Sequence, residues 1–333
     1  MLNLYSHSAK LAGFMRHSLD IIVVNWNSGR QLYECVVSIT AAGHPDCCLN
    51  HIVVVDNAST DGSLEGLENI QLPMKILKNN YNIGFAAACN QGARESTADF
   101  ILFLNPDTVL DEQSLTIPIA FLTRPGNSAF GIVGIQLVNA DGMISRSCAR
   151  FPTPGMIFNK MLGLDKLFPK VAKDYFMTEW DHCENREVDH VMGAFIMVRR
   201  ALFESLSGFD ERFFVYLEDL DFSLRVHRAG WRSYFIADSR AYHKGGGTSE
   251  QVKSTRLFYS LRSRILYGFK HFNPRTATGL MLGTLMIEPM IRIAFALARL
   301  SLPQIAETAK GYGMLWSAMP AVINSARKRS HAS

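Results

Sequence analysis

Four apolar segments in the first third of the chain have the composition of buried strands, with helix-like segments between them. The four segments are DIIVVNW (20–26), HIVVVD (51–56), MKILK (74–78) and FILFLN (100–105). Continuous apolar strands that alternate with helices are typical of a parallel sheet covered on both faces. The sequence therefore predicts an α/β fold, with helices over about 30–40, 63–69 and 84–96.

Composition excludes several other classes of protein. The chain has 333 residues, of which 48% are hydrophobic and 19% are charged, and this is enough to bury one large core or two ordinary ones. It shows no repeat of fixed period and no low-complexity tract, which argues against a solenoid or a disordered scaffold. The six cysteines have no zinc-type spacing and follow no recognisable secretory signal, so we expect reduced thiols in a cytosolic protein.

Three of the predicted strands end in polar residues. Asn25 closes the first, Asp56 the second, and Asn105 and Asp107 follow the fourth. Ligands of such sheets bind where the carboxyl ends of the strands meet, although Asn and Asp also begin turns. The first loop has neither a GxGxxG nor a P-loop pattern, so a phosphate-bearing ligand would need another counter-charge, such as a metal ion held by Asp107.

An acidic cluster follows an aromatic run in FFVYLEDLDFSLRVHRAGW (213–231), downstream of a strand that the sequence predicts around 188–198. Asp221 and Arg225 are four residues apart on a helix predicted over about 219–229, so they can form an ion pair and Asp221 is interpreted as structural. Asp219 has two readings. It caps the helix, or it is a proton acceptor whose basicity is raised by the neighbouring apolar surface.

Seven motifs occur in a fixed order between about residues 20 and 270. They are the first strand with Asn25, VVVDNASTDGS, NNYNIGFAAACNQG, FLNPDT, MGAFIMVRR, GFDERFFVYLEDLDFSLR and YHKGGGTS. This ordered set resembles family 2 glycosyltransferases of the GT-A fold, and within them the rhamnosyltransferase-like subgroup, whose members often have NPD in place of DxD. The resemblance implies a mostly parallel central sheet flanked by helices, with a C-terminal helical extension.

The resemblance also implies a donor site. Asp56 would bind the pyrimidine of a UDP- or dTDP-sugar, and Asn25 and Asn82 would line the nucleotide pocket. Asp107 would coordinate Mg²⁺ or Mn²⁺ at the diphosphate. Asn105 stands where other members of the family have the first acid of DxD.

The other residues that the resemblance implies lie in the second half of the chain. Asp219 would be the catalytic base, with Glu218 as a supporting acid, and His243 would complete the metal site, although a lone histidine in that place is as often a loop residue. The remaining residues implied to lie near the acceptor or the diphosphate are Gly193, Gly246 and Thr248. The activity implied is inverting transfer of a sugar, rhamnose in the subgroup, to a glycan or a polyprenyl-diphosphate-linked sugar during cell-surface polysaccharide synthesis.

The sequence divides into a leader (1–19), a catalytic domain (20–250) and a basic, apolar extension (251–333). Within the catalytic domain, we expect a nucleotide-sugar half over about 20–140 and an acceptor half over 141–250. The extension holds 12 Lys or Arg and 2 Asp or Glu, a balance of +10. Its Arg262 and Arg264 are candidates to hold the diphosphate of a lipid-linked acceptor.

The extension also predicts a membrane contact. The segment GLMLGTLMIEPMIRIAFALARL (279–300) is interrupted by charges, so it lacks the ~18 uncharged residues of a spanning helix. We expect an interfacial helix and peripheral association with the inner face of the cell membrane, with a purely intramolecular helical subdomain as the alternative.

Other functions stay open on sequence grounds. A membrane-associated nucleotide-sugar or lipid binder would need no catalytic base. A sugar nucleotidyltransferase would carry a glycine-rich, basic signature after the first strand, and VVNWNSGRQ does not supply one. Nucleic acid is the weakest candidate partner, because residues 1–250 have a charge balance of −6.

Overall fold

The computed structural model describes residues 17–43, 47–168, 170–172, 174–245 and 253–327. Within them, the strands are β1 (His17–Asn25), β2 (Cys47–Asp56), β3 (Met74–Lys78), β4 (Phe100–Leu104), β5 (Thr108–Leu110), β6 (Phe130–Val138), β7 (Ile144–Ser145), β8 (Cys148–Ala149), β9 (Arg186–Val188), β10 (His190–Val191), β11 (Phe195–Arg199) and β12 (Arg232–His243). The helices are α1 (Arg30–Ala41), α2 (Phe85–Ala93), α3 (Thr116–Thr123), α4 (Pro154–Met161), α5 (Leu164–Leu167), α6 (Arg200–Ser205), α7 (Glu218–Arg228), α8 (Lys253–His271), α9 (Pro274–Leu282), α10 (Glu288–Ala298) and α11 (Leu302–Arg327), with a π-helical turn at Gly283–Ile287.

One central sheet organises the molecule, with the strand order β3-β2-β1-β4-β11-β6-β12-β5. The strands β3, β2, β1 and β4 run parallel, as do β6 and β12, whereas β11 is antiparallel to both of its neighbours. Successive side chains of β1 enter opposite cores: Ile21 packs with α1 and α3, and Ile22 packs with α2 and α7. The predicted α/β sheet, mostly parallel and covered on both faces, is therefore confirmed.

Three element boundaries differ from the sequence-based expectations. β1 begins at His17, inside the predicted leader, because His17 to Leu19 pair with the start of β2. The helix predicted over 63–69 is only a 3₁₀ turn at Leu67–Asn69, since Gly66 adopts a left-handed φ of 82° that interrupts helical geometry. The strand expected around 188–198 is divided into three short strands, β9, β10 and β11.

The C-terminal helices share a core with the catalytic part of the chain. Phe213 and Leu220, from the aromatic run and α7, are buried against α8 and α11, which contribute Tyr267 and Leu315. The predicted C-terminal helical region is therefore present, and it covers the acidic cluster.

Candidate active site

Asn25 and Asp56 meet at the edge of the sheet where β1 and β2 end as register partners, and we call it the donor edge after the role that the resemblance implies for these two residues. The Asn25 Nδ2 donates to Asp56 Oδ1 at 2.8 Å, to Ser59 Oγ at 3.0 Å and to Ser63 Oγ at 2.8 Å. Both Asn25 and Asp56 are buried. The two serines were not singled out from the sequence, although the hydroxyl-rich motif DNASTDGS contains both and is the signal that could have found them.

Asn82 shapes the turn before α2. Its Oδ1 accepts the Gly84 N–H at 2.9 Å, and Gly84 has a left-handed φ of 92°. A Cβ on Gly84 would lie 2.6 Å from the carbonyl oxygen of Phe214, which itself accepts the Phe85 N–H at 2.6 Å. Only glycine allows this approach, so the turn beside the donor edge contacts the aromatic run directly.

The structure brings the two predicted metal ligands together. Asp107 lies just before β5, and His243 ends β12, which pairs with β5. The Asp107 Oδ1 and His243 Nε2 atoms are 3.3 Å apart, and their side chains are 11% and 18% exposed. The Lys244 N–H also donates to the Asp107 carbonyl oxygen at 3.1 Å, which fixes the loop around the pair.

This pair fits a divalent ion that is shared with a substrate. A carboxylate oxygen and an imidazole nitrogen are ordinary ligands of Mn²⁺, and Mg²⁺ is commonly held by one or two carboxylates together with substrate phosphates. In the described ranges, no group of three His, Cys, Asp or Glu side chains could hold a metal ion alone. An ion at Asp107 and His243 would therefore need further oxygen ligands, from water or from a substrate phosphate.

Asp219 is oriented by backbone N–H groups. Its Oδ2 accepts the Gly193 N–H at 2.9 Å, and its Oδ1 accepts the Leu220 N–H at 2.8 Å. A Cβ on Gly193 would lie 3.1 Å from Oδ2, so a side chain there would crowd the carboxylate. His190 Nε2 lies 3.6 Å from the same oxygen, while its Nδ1 is 2.9 Å from Ser223 Oγ. No sequence signal distinguished His190 or Ser223 from ordinary core residues.

One backbone hydrogen bond links the segment that binds Asp219 to the loop 105–107, which carries the predicted metal ligand Asp107. The Asn105 N–H donates to the Ala194 carbonyl oxygen at 3.0 Å, and Ala194 follows Gly193, which binds Asp219. The end of β4, the start of β11 and the first turn of α7 therefore converge on one edge of the sheet. The predicted base and Asp107 lie on that same edge.

Glu218 differs from its neighbour because it is 4% exposed and its Oε2 has no hydrogen-bond partner among the described residues. Burial, together with the charge of Asp219, raises the pKa of Glu218 well above its usual value. The two preceding residues, Tyr216 and Leu217, have left-handed φ angles of 68° and 66°. Such a conformation costs about 1–3 kcal/mol for each non-glycine residue and is concentrated at functional sites.

Asp221 is fully buried and structural, as the sequence indicated. It pairs with Arg225 at 2.9 Å, with Lys270 at 2.7 Å and with His271 at 2.7 Å. The last two belong to α8, so the extension directly neutralises a carboxylate of the acidic cluster.

The basic residues predicted for the acceptor have protein partners. Arg262 Nη1 donates to the carbonyl oxygen of Arg212 at 2.9 Å, which places it beneath the aromatic run. Arg264 forms an ion pair with Glu288 and donates to Thr284 Oγ1 at 3.1 Å. The predicted Gly246 and Thr248 lie outside the described residues.

The match to a known family follows the same part of the chain. The model of Glycosyl transferase family 2 matches residues 20–207, which include Asn25, Asp56, Asp107 and Gly193. The chain belongs to glycosyl transferase family 2.

Two relatives of this family 2 glycosyltransferase are rhamnosyltransferases. The chain is 25% identical over 271 residues to an N-acetylglucosaminyl-diphospho-decaprenol L-rhamnosyltransferase of Mycobacterium tuberculosis (strain ATCC 25618 / H37Rv), which covers 77% of this chain and 86% of that relative. It is 28% identical over 203 residues to rhamnosyltransferase WbbL of Escherichia coli (strain K12). That match covers 61% of this chain and 73% of the relative. The resemblance to the rhamnosyltransferase-like subgroup is confirmed.

Solved structures of similar shape confirm the GT-A fold. The mannosyltransferase PcManGT from Pyrobaculum calidifontis, in complex with GDP-Man and Mn²⁺, has a TM-score of 0.52 at 19% identity, over 93% of this chain and 86% of that one. GalNAc-T7 with UDP, GalNAc and Mn²⁺ has a TM-score of 0.57 at 15% identity, over 93% of this chain and 58% of that one. At these identities the likeness concerns the fold alone.

Proposed function

We propose that this glycosyltransferase moves a sugar from a nucleotide diphosphate donor to an acceptor hydroxyl with inversion, using Asp219 as the general base. The observation that carries the proposal is the link from Asn105 through Ala194 and Gly193 to Asp219. It puts a carboxylate with fixed orientation on the same sheet edge as Asp107 and His243. A base and a diphosphate site on one edge are the two parts that a single displacement needs.

In this displacement, Asp219 accepts the proton of the acceptor hydroxyl as its oxygen attacks the anomeric carbon. The bond from that carbon to the diphosphate oxygen breaks on the opposite face, and the nucleoside diphosphate leaves with the bonding electrons. Burial raises the pKa of Glu218 well above its usual value and so favours its neutral form, which leaves Asp219 as the acceptor of the proton. Mg²⁺ or Mn²⁺ held by Asp107 and His243 would neutralise charge on the leaving diphosphate.

The donor is proposed to be a UDP- or dTDP-sugar, with rhamnose as the sugar that the two rhamnosyltransferase relatives suggest. Asp56 and Asn25 would hold the pyrimidine, with Asn82 at the rim of the pocket. Their network is rigid before the donor arrives, because Asn25 already binds Asp56 and two serine hydroxyls. Preorganised polar groups of this kind lower the cost of ordering a ligand.

The acceptor is proposed to be a glycan on a polyprenyl diphosphate, in cell-surface polysaccharide synthesis. One relative is named for a diphospho-decaprenol acceptor. The location of Arg262, beneath the aromatic run that precedes Asp219, suits a diphosphate near the base. A lipid-linked acceptor would place the enzyme at the cytoplasmic face of the membrane.

The deciding experiment is a screen of purified protein against UDP- and dTDP-sugars, with Mg²⁺ or Mn²⁺ and a membrane lipid extract. Asp219→Asn keeps the size of the side chain and one of the two acceptor oxygens that bind backbone N–H groups, and it removes the base, so nucleotide diphosphate release should fall about 10²–10⁴-fold while nucleotide binding persists. Asp141→Asn, in the exposed β6–β7 turn, is the matched control and should retain activity. Full activity of Asp219→Asn would refute the base. Nucleotide binding without turnover of any donor would favour the membrane-associated binder instead.

The acceptor site has its own test. Arg262→Ala should raise the KM for a polyprenyl-diphosphate-linked acceptor with little change in the KM for the donor, and the exposed Arg124→Ala is the control. Arg264→Ala should show the same split, with added loss of stability because Glu288 would be buried without this partner. An unchanged acceptor KM in both variants would remove these arginines from the acceptor site.

A further inference from the structure

One side of the α9–α10 stretch exposes large apolar side chains. Pro274–Ala298 is a helical stretch of 25 residues, in which a window of 18 residues has a mean hydropathy of 1.7 and only 33% of that window is buried. Its inward side carries Thr284, Glu288 and Ala296, all buried. The outward side chains, which we call the apolar face, are 47–71% exposed and comprise Leu282, Met286, Ile287, Met290 and Leu297.

The surface continues beyond this helix. Leu300, in the connection to α11, is 91% exposed, Leu302, the first residue of α11, is 76% exposed, and Trp316 is 54% exposed. The Trp316 Nε1 donates to the Leu285 carbonyl oxygen at 3.3 Å, so the indole lies beside the apolar face. Eight of the sixteen large apolar side chains exposed in the described part of the chain fall between residues 282 and 316. A concentrated apolar surface of this kind marks a site that a membrane or another molecule covers.

Charge distinguishes between the candidate occupants. Exposed Arg275 and Arg299 lie at the two ends of the helical stretch, and its single acid, Glu288, is buried in ion pairs with Arg264 and Arg292. The apolar face therefore has a cationic border, and an indole at its edge suits the headgroup level of a bilayer. A symmetric pairing of two copies would bring the same cationic borders together.

The inward side shows how the helix would be oriented. Glu288 and Thr284 bind Arg264 of α8, so this side is fastened to the protein by polar contacts. A spanning orientation would carry these groups into hydrocarbon, whereas an in-plane orientation leaves them within the protein.

We propose that the apolar face docks in the plane of an anionic lipid bilayer, with Arg275 and Arg299 contacting acidic headgroups. The inference rests on the proposed function, because it identifies the surface by which the transferase would contact the membrane. The test of lipid binding requires neither a sugar donor nor an acceptor. Failure to detect transfer would leave the inference standing, and failure to bind lipid would leave the transferase standing.

The test is flotation of the full chain with vesicles of phosphatidylcholine alone or mixed with phosphatidylglycerol. The double variant Met286→Asp, Met290→Asp should lower the bound fraction at least about 10-fold, because two charges replace apolar anchors. Met143→Asp is the matched control: Met143 is 61% exposed, but it lies in the β6–β7 turn, far along the sequence from the apolar face. Arg275→Gln with Arg299→Gln should weaken the preference for phosphatidylglycerol while binding to pure phosphatidylcholine changes little.

Thermal melting and gel filtration test whether each variant is folded. We expect all of them to fold, because the substituted side chains are exposed. Equal lipid binding by the wild type and the double aspartate variant would overturn the inference. A wild type that ignores vesicles and forms a dimer, which the same variant dissociates, would also overturn it and assign the apolar face to a second copy.

Discussion

The donor edge and the acidic cluster both hold buried carboxylates, but they satisfy them differently. At the donor edge, Asp56 is bound by the amide of Asn25 and by the backbone N–H of Ser59, all within the first three strands. In the acidic cluster, Asp221 is bound by Lys270 and other cationic groups that come partly from α8. The donor edge is therefore built from β1, β2 and the loop after β2, whereas the acidic cluster needs residues more than 40 positions further along the chain.

The pKa shifts show the same contrast within the cluster. Burial would raise the pKa of Asp210, but hydrogen bonds from Arg212 and Lys270 outweigh it and lower that pKa below its usual range. Burial is likewise outweighed at Asp221, whose pKa is lowered by His271, Arg225 and Lys270. At Glu218 burial is unopposed by any cation, and the pKa rises. Lys270 of α8, together with Arg212 and Arg225, thus lowers the pKa of two carboxyls of this region, whereas the pKa of Glu218 is raised.

Lys270 gives the largest expected effect. It contacts Asp210 and Asp221 at 2.6 and 2.7 Å with its side chain only 12% exposed. Lys270→Met keeps the aliphatic volume but leaves both carboxylates without this cation, so we expect the free energy of unfolding to fall by about 3–5 kcal/mol. Chemical denaturation measures this loss, and kcat should fall with it because the turn before Asp219 loses its support.

Lys75→Met is the control for that experiment. Lys75 pairs with Glu95 on the surface, where the two side chains are 46% and 61% exposed, so its loss should cost less than about 1 kcal/mol. Equal effects in the two variants would show that α8 does not support the acidic cluster, and the contrast between the two regions would fail.

This contrast also explains what could be predicted from the sequence. The donor edge was predictable because strands with continuous apolar runs end in Asn25, Asp56 and Asp107, and parallel strands bring their carboxyl ends together. The strand β3 was predicted with its observed bounds, 74–78, since polar and turn residues flank it on both sides.

The support of the acidic cluster could not be read in the same way. Sequence spacing revealed the pair Asp221 and Arg225, which are four residues apart, but not the contacts with Lys270 and His271 across 50 positions. The basic extension was interpreted as meeting an external anion, and the sequence did not reveal that Lys270 and Arg264 also pair with carboxylates of the protein itself. Long-range pairing of this kind leaves no periodic signal in one sequence.

Asn25 gives an intermediate effect at the donor edge. Asn25→Ala removes the donor to Asp56 Oδ1 and to two serine hydroxyls, all inside the protein. Loss of a buried partner costs about 1–3 kcal/mol, so the melting temperature should fall and UDP or dTDP should bind more weakly by calorimetry. Asn69→Ala, at an exposed position, should change neither quantity. Unchanged nucleotide affinity in Asn25→Ala would remove this network from the donor site.

Glu218 gives the smallest effect and tests the other half of the contrast. Because its pKa is raised in the folded state, the folded protein binds its proton more tightly than the unfolded chain does, and stability should fall as pH rises above the ordinary Glu value of about 4.3. Glu218→Gln keeps a neutral side chain at every pH, so it should match the wild type near pH 4 and become progressively more stable than the wild type as the pH rises toward 7.

The measurement is the pH dependence of the unfolding free energy for the wild type, Glu218→Gln and the exposed control Glu68→Gln. The first two curves should separate with rising pH, and the control should follow the wild type. Parallel curves for Glu218→Gln and the wild type would mean that a cation or water stabilises the ionised form of Glu218. Every buried carboxylate of the donor edge and of the acidic cluster would then have a stabilising partner. The raised pKa of Glu218 would no longer distinguish the acidic cluster from the donor edge.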